Sequence, residues 1–134
     1  MSRKEVMGLR TALFSLIVIL SFSLPGCAHQ LHTGSSQSGK ASWYGASHHG
    51  HRTASGEKFD MNANTAAHRT LPMNSVVRVT SQSSGKSVQV RINDRGPFSG
   101  GRIIDVSRSA AQQLGFIEKG TDVVELEVIS IPGE

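Results

Sequence analysis

Ser87-Val88-Gln89-Val90-Arg91-Ile92-Asn93-Asp94-Arg95-Gly96-Pro97-Phe98 combines a strand pattern with a polar end. Val88, Val90 and Ile92 alternate with Gln89, Arg91 and Asn93, the period of a strand with one buried face. The run stops at Asp94, and a Gly-Pro turn follows. Beyond it, Ile103-Ile104 forms a second apolar run that ends at Asp105, ahead of Val106 and Ser107. Two carboxylates at the ends of short strands make a polar site on a rigid scaffold. Glu57, in Thr53-Ala54-Ser55-Gly56-Glu57, and His68, in Ala66-Ala67-His68-Arg69-Thr70-Leu71-Pro72, add further candidates. Several acidic groups with a histidine are the equipment of general acid/base chemistry, glycoside cleavage in particular.

The same alternation recurs outward from this stretch. Val77 and Val79 alternate with Arg78 and Thr80, and Val124, Leu126 and Val128 with Glu125 and Glu127. Lys40 to Tyr44 reads as an early strand, and Ser81 to Lys86 as a hairpin loop in which Gly85 supplies positive φ. Ser107, Arg108 to Leu114 and Gly115 read as a helix with its two caps. The fold class is therefore mainly β, a small barrel with one or two short helices.

The N-terminus has a different character. Arg3, Lys4 and Arg10 precede an apolar run from Ala12 to Leu20, the layout of an export signal. The run is shorter than the roughly 20 apolar residues of a membrane-spanning helix. Leu24-Pro25-Gly26-Cys27 resembles a lipobox, and Cys27 is the lone cysteine, with no partner for a disulfide. The expected organisation is a signal peptide at 1–26, a polar tether from lipidated Cys27 through residue 38, and one domain at 39–131. Cleavage before Cys27 would leave 108 residues, enough for one hydrophobic core. That mature chain carries eleven basic and nine acidic residues, a net charge of +2. With no basic helix, basic-aromatic platform or Gly-rich phosphate loop, nucleic acid is not an expected partner.

Five ordered motifs carry a resemblance: Ala41-Ser42-Trp43-Tyr44-Gly45, Arg52 to Glu57, Ala67 to Pro72, Asn93 to Phe98, and Ile104 to Ser107. In order and spacing they resemble the rare lipoprotein A (RlpA) family, over roughly Gly39 to Ile129. The resemblance implies a six-stranded double-psi β-barrel. It also implies a lytic transglycosylase of peptidoglycan that prefers glycan strands without stem peptides and needs no cofactor. Many family members carry a C-terminal SPOR domain, and none is expected in the sequence up to Glu134.

The resemblance implies Asp94, Glu57, His68 and Asp105 as catalytic positions, with Asp94 as the acid/base and Glu57 or Asp105 as rivals. Arg95 and His68 would orient the carboxylates or the substrate, and Tyr44 would face the groove while Trp43 packs. Each residue also has a structural reading. Asp94 can be a turn aspartate, and Asp105 can favour the start of the following helix. Glu57 can be a solvated loop carboxylate, and His68 a hydrogen-bonded interior histidine. His48, His49 and His51 with Glu57 match no helical zinc motif, and no metal is expected. The other function class is a non-catalytic, expansin-like glycan-binding module, and a hydrolase is a third reading. The partners expected are glycan strands and a membrane reached through the lipid. Ala28 after the cysteine points to an outer membrane where one exists, with the domain facing the periplasm and monomeric.

Overall fold

The computed structural model describes residues 30–134. The export signal at 1–26, lipidation of Cys27 and the first part of the tether lie outside the described residues. Six strands follow one another with a single helix between the last two: β1 (Ser36–Tyr44), β2 (Thr65–Ala67), β3 (Val76–Ser81), β4 (Ser87–Asp94), β5 (Arg102–Ser107), α1 (Arg108–Leu114) and β6 (Thr121–Ser130). They close into a barrel in the order β1-β5-β2-β4-β3-β6, with β6 pairing back onto β1. The β1–β5 and β2–β4 pairs are parallel and the other pairs antiparallel. This is the closed mixed barrel that a double-psi topology requires.

Period-two alternation decides which side chains fill the interior. Val77, Val79, Val88, Val90, Ile92, Ile104, Val106, Val124, Leu126 and Val128 are buried, and all belong to one core. Each buried aliphatic side chain contributes roughly 1.5–3 kcal/mol through removal from water. Leu114 and Phe116 extend that core beneath α1. Helix α1 is short, so its ends matter. Ser107 accepts the Ala110 N–H on its hydroxyl (3.3 Å), and Gly115 closes the helix in the left-handed region at φ 85°. Both caps fall where the sequence places them.

Three details differ from the sequence-based expectation. The tether ends earlier: Ser36, Gln37 and Ser38 pair with Glu127, Leu126 and Glu125 of β6. Leu31 already packs against the core, and Thr33 donates to the Glu134 carboxylate from its N–H (3.0 Å) and hydroxyl (2.7 Å). Strand β2 is new, because three residues are too few for alternation to register. Strand β5 runs through Asp105 to Ser107 instead of ending at the aspartate, so Asp105 lies within a paired strand.

Replacing Ser107 with Ala removes the only side-chain cap at the start of α1. We expect Ser107→Ala to lose about 1 kcal/mol of unfolding free energy, read by urea denaturation, while Ser107→Thr keeps most of it.

Candidate functional site

The site follows from strand register. Ser42 of β1 pairs with Asp105 of β5, Asp105 pairs with Ala67 of β2, and Ala67 pairs with Asp94 of β4. Four residues from four strands thus form one transverse row, and all four line a cleft of about 480 Å³. Neighbouring strands lie about 4.8 Å apart, which puts the Cα atoms of Asp94 and Asp105 on the order of 10 Å apart. Ala67 lies between them and leaves a low floor.

Two irregularities create this row. On β4, Ile92 pairs with Ala66 and Asp94 with Ala67, so Asn93 is an extra residue. On β5, Arg102 pairs with Lys40 and Ile104 with Ala41, so Ile103 is the extra one. Unbroken alternation after Val88, Val90 and Ile92 would aim Asp94 into the core. The extra residue re-aims it, as bulges near functional sites do. The cost is that Asn93, expected to face outward, is 2% exposed and its side-chain oxygen has no partner.

Asp94 accepts backbone N–H groups from Ala54 and Arg95, both on Oδ1 at 2.9 Å. Among the described residues no donor reaches Oδ2, which is left for a ligand. Asp105 is tied down instead. Its Oδ1 accepts the Ser42 hydroxyl (2.5 Å) and lies 3.3 Å from Nη1 of Arg102, which also donates to Ser42 Oγ (2.6 Å).

Tyr44 is two residues along β1 from Ser42 and shares its face. Its ring packs on Phe59 (centroids 4.5 Å apart) and meets the His48 ring edge-on (5.3 Å). The hydroxyl is buried without a partner. Burial, and then the charges of Asp94 and Asp105, push its pKa well above the usual phenol value, so it stays a proton donor. Gly45 belongs to the same motif because a Cβ there would lie 2.8 Å from the Trp43 ring. Trp43 is partly buried against the core and donates from Nε1 to the Ile117 carbonyl (3.3 Å).

Glu57 and His68 are not brought into the cleft. Glu57 takes a two-pronged hydrogen bond from Arg91 (2.8 and 3.1 Å). That bond, with smaller help from Asn93 and Ser55, holds its carboxyl below the usual range. Its loop nevertheless supplies the Ala54 N–H that holds Asp94. His68 is 3% exposed. Its Nδ1 accepts the N–H groups of Thr70 (3.2 Å) and Leu71 (3.1 Å), so Nε2 carries the proton toward Gln37 Oε1 (3.2 Å). Its own N–H donates to the Asp94 carbonyl (3.1 Å). Arg95 is a cleft residue, but its guanidinium donates to the carbonyls of His68 (3.3 Å) and Leu71 (2.8 Å) and touches no carboxylate. Both residues therefore fix the backbone behind Asp94.

Sequence reasoning missed Ser42, Ala67, His48, Phe98 and Arg102 as cleft residues. Ser42 was accessible through its i+2 relation to Tyr44. The others depend on register and loop placement. No group of three or more metal-binding side chains gathers among the described residues. His49 accepts the Met61 N–H, and His48 faces Tyr44. A larger groove of about 720 Å³, lined by Leu31, Thr70, Leu71, Pro72 and Ile131, has the volume but lacks the paired carboxylates.

Comparison with known proteins bears on the family and the fold. The family model described as lytic transglycolase matches residues 36–126. An endolytic peptidoglycan transglycosylase RlpA of Neisseria meningitidis serogroup A is 61% identical over 98 residues, covering 73% of this chain and 41% of that protein. The namesake from Vibrio cholerae is 55% identical over 98 residues, 73% of this chain and 37% of the relative. The chain thus spans about two fifths of the length of these relatives. Among solved structures, a Streptomyces papain inhibitor superposes with TM-score 0.62 at 20% identity, over 75% of this chain and all of that one. A mutant Clavibacter michiganensis expansin in complex with cellohexaose gives 0.59 at 15% identity, over 75% of this chain and 53% of that one. These two likenesses concern the barrel fold.

Burial, and then the positive charges of Arg69 and Arg95, depress the His68 pKa from 6.5 to about 4. The neutral ring is the folded form, so its contribution is complete above pH 6.5. As pH falls toward 4 the unfolded chain takes up the proton first, and stability on the order of 3 kcal/mol is lost. Denaturant titrations across this window should show wild type falling more steeply than His68→Asn. Parallel curves would contradict the assignment.

Proposed function

The chain belongs to the lytic transglycolase family, and from that premise we propose that its cleft cleaves peptidoglycan glycan strands without water. The bond broken is the β-1,4 link between N-acetylmuramic acid and N-acetylglucosamine. The observation that carries this reading is the bare Oδ2 of Asp94, opening on a cleft that also holds Asp105 and the unpartnered Tyr44 hydroxyl.

Asp94, protonated on Oδ2, gives its proton to the glycosidic oxygen as the bond to the anomeric carbon breaks. Positive charge develops on the sugar. Asp105, held in place by Ser42 and Arg102, faces that charge. The C6 hydroxyl of the muramic acid then bonds to its own anomeric carbon and passes its proton to the Asp94 carboxylate. The products are a free 4-hydroxyl and a 1,6-anhydro end. Because the nucleophile belongs to the substrate, no second carboxylate has to hold a water. This is consistent with Glu57 lying on Arg91 and outside the cleft. Tyr44, a donor throughout, hydrogen-bonds a sugar oxygen near the reacting carbon. Glu57, His68 and Arg95 act on the position of Asp94 through the backbone. Strands lacking stem peptides suit a shallow cleft with a floor of Ala67 and walls of loops.

Cys27 lies only three residues before Gln30. As the proposed lipid anchor it would hold the barrel close to an envelope membrane, facing the periplasm. Cys27→Ser protein is expected in the soluble fraction. Full membrane retention of a correctly processed variant would count against the anchor.

Digests of purified peptide-free strands, read by mass spectrometry, test the reaction. Wild type should release ends lighter than hydrolytic ends by one water. Asp94→Asn should keep its melting temperature and lose about 10²–10⁴-fold in rate. Glu57→Gln and His68→Ala should lose less, by displacing Asp94. Hydrolytic ends would mean a hydrolase. Strands bound but left intact by wild type would instead establish an expansin-like binding module.

A further inference from the structure

Phe98 is 79% exposed, the most exposed of the large apolar side chains among the described residues. It sits midway in the loop from 95 to 101 that joins β4 to β5. That loop is pinned at both ends. Arg95 donates to the carbonyls of His68 and Leu71, and Arg102 donates from Nε to the Ser99 carbonyl (3.4 Å) and from Nη1 to Ser42. Gly96, Gly100 and Gly101 have φ of 116°, 71° and 64°, backbone that favours glycine, so the chain bends sharply on either side of Pro97-Phe98-Ser99. The result is an aromatic ring held out in water by anchored backbone. It adds nothing to the core, and solvation of its faces is unfavourable.

The same ring lines the cleft with Asp94 and Asp105. A pyranose ring has polar edges and an apolar C–H face, and the apolar face needs an apolar surface to cover it. Continuity between Phe98 and the carboxylate row selects a sugar as the occupant. We propose that Phe98 is a stacking platform for the pyranose next to the scissile bond, fixing the register of the glycan strand over the Asp94–Asp105 row. This rests on the glycan reading of the cleft given above.

The test uses Asp94→Asn protein, so that strands bind without being cut, and measures its affinity for purified peptide-free glycan strands. Adding Phe98→Ala should weaken binding about 5- to 20-fold, the share of one aromatic face removed from water. Adding Phe98→Trp should restore it. Melting temperatures should agree within about 1 °C, because an exposed ring holds no core together. An affinity within twofold of the parent for Phe98→Ala would overturn the platform while leaving the cleft reading intact. Failure of the parent to bind any strand would remove the glycan reading, and the platform with it. Unchanged strand affinity with lost binding to phosphatidylglycerol vesicles would assign the ring to a lipid surface and also overturn the proposal.

Discussion

One extra residue in β4 sets the geometry of the cleft. With Asn93 inserted against Ala66 and Ala67, Asp94 turns away from the core and meets Ala67 in register. Ser42, Asp105, Ala67 and Asp94 then stand in a single row across four hydrogen-bonded strands. A strand's side chains alternate with period two, so a slip of one residue would put Asn93 or Arg95 in the place of the aspartate. The barrel is closed, and each strand in the row is held on both sides. Closure makes the register costly to change and keeps the carboxylates where they are. The buried, partnerless oxygen of Asn93 is the destabilising counterpart, of the order expected for an unsatisfied polar group, about 1–3 kcal/mol.

Around that row the polar groups divide by what they can still do. Asp105 has one oxygen, Oδ1, engaged by Ser42 and Arg102, and Glu57 has both oxygens engaged by Arg91. His68 is neutral, with both ring nitrogens engaged. Oδ2 of Asp94, Oδ2 of Asp105 and the hydroxyl of Tyr44 each combine a place in the cleft with no hydrogen-bond partner among the described residues. An acid and a fixed donor are what a leaving oxygen and a ring hydroxyl would need. The backbone behind Asp94 is fixed by the Arg95 guanidinium and the His68 N–H, so its carboxyl is preorganised.

Much of this was legible in the residues. Alternating valines placed β3, β4 and β6, and Ser107 and Gly115 marked both ends of the helix. Asp94, Asp105 and Tyr44 were read as site residues from motifs at strand ends, and they do share one cleft. Other features could not be read that way. A bulge leaves no mark in the hydrophobic pattern, so Asn93 looked like an outward residue. Strand β2 is three residues long and wholly buried, with no alternation to detect. Glu57 and His68 stand in motifs beside Asp94, but side-chain direction depends on partners distant in sequence, Arg91 and Gln37. Ala67 carries no functional group, and its place between the aspartates is visible only once the strands are paired.

The most direct measurement is a crystal structure of Asp94→Asn protein with a bound peptide-free glycan oligosaccharide. A sugar ring should lie over Ala67, with its glycosidic oxygen within hydrogen-bond distance of the residue 94 side chain and a ring oxygen or hydroxyl on Tyr44. An oligosaccharide lodged instead in the groove of Leu31, Leu71 and Ile131, with the carboxylate row left bare, would contradict the account.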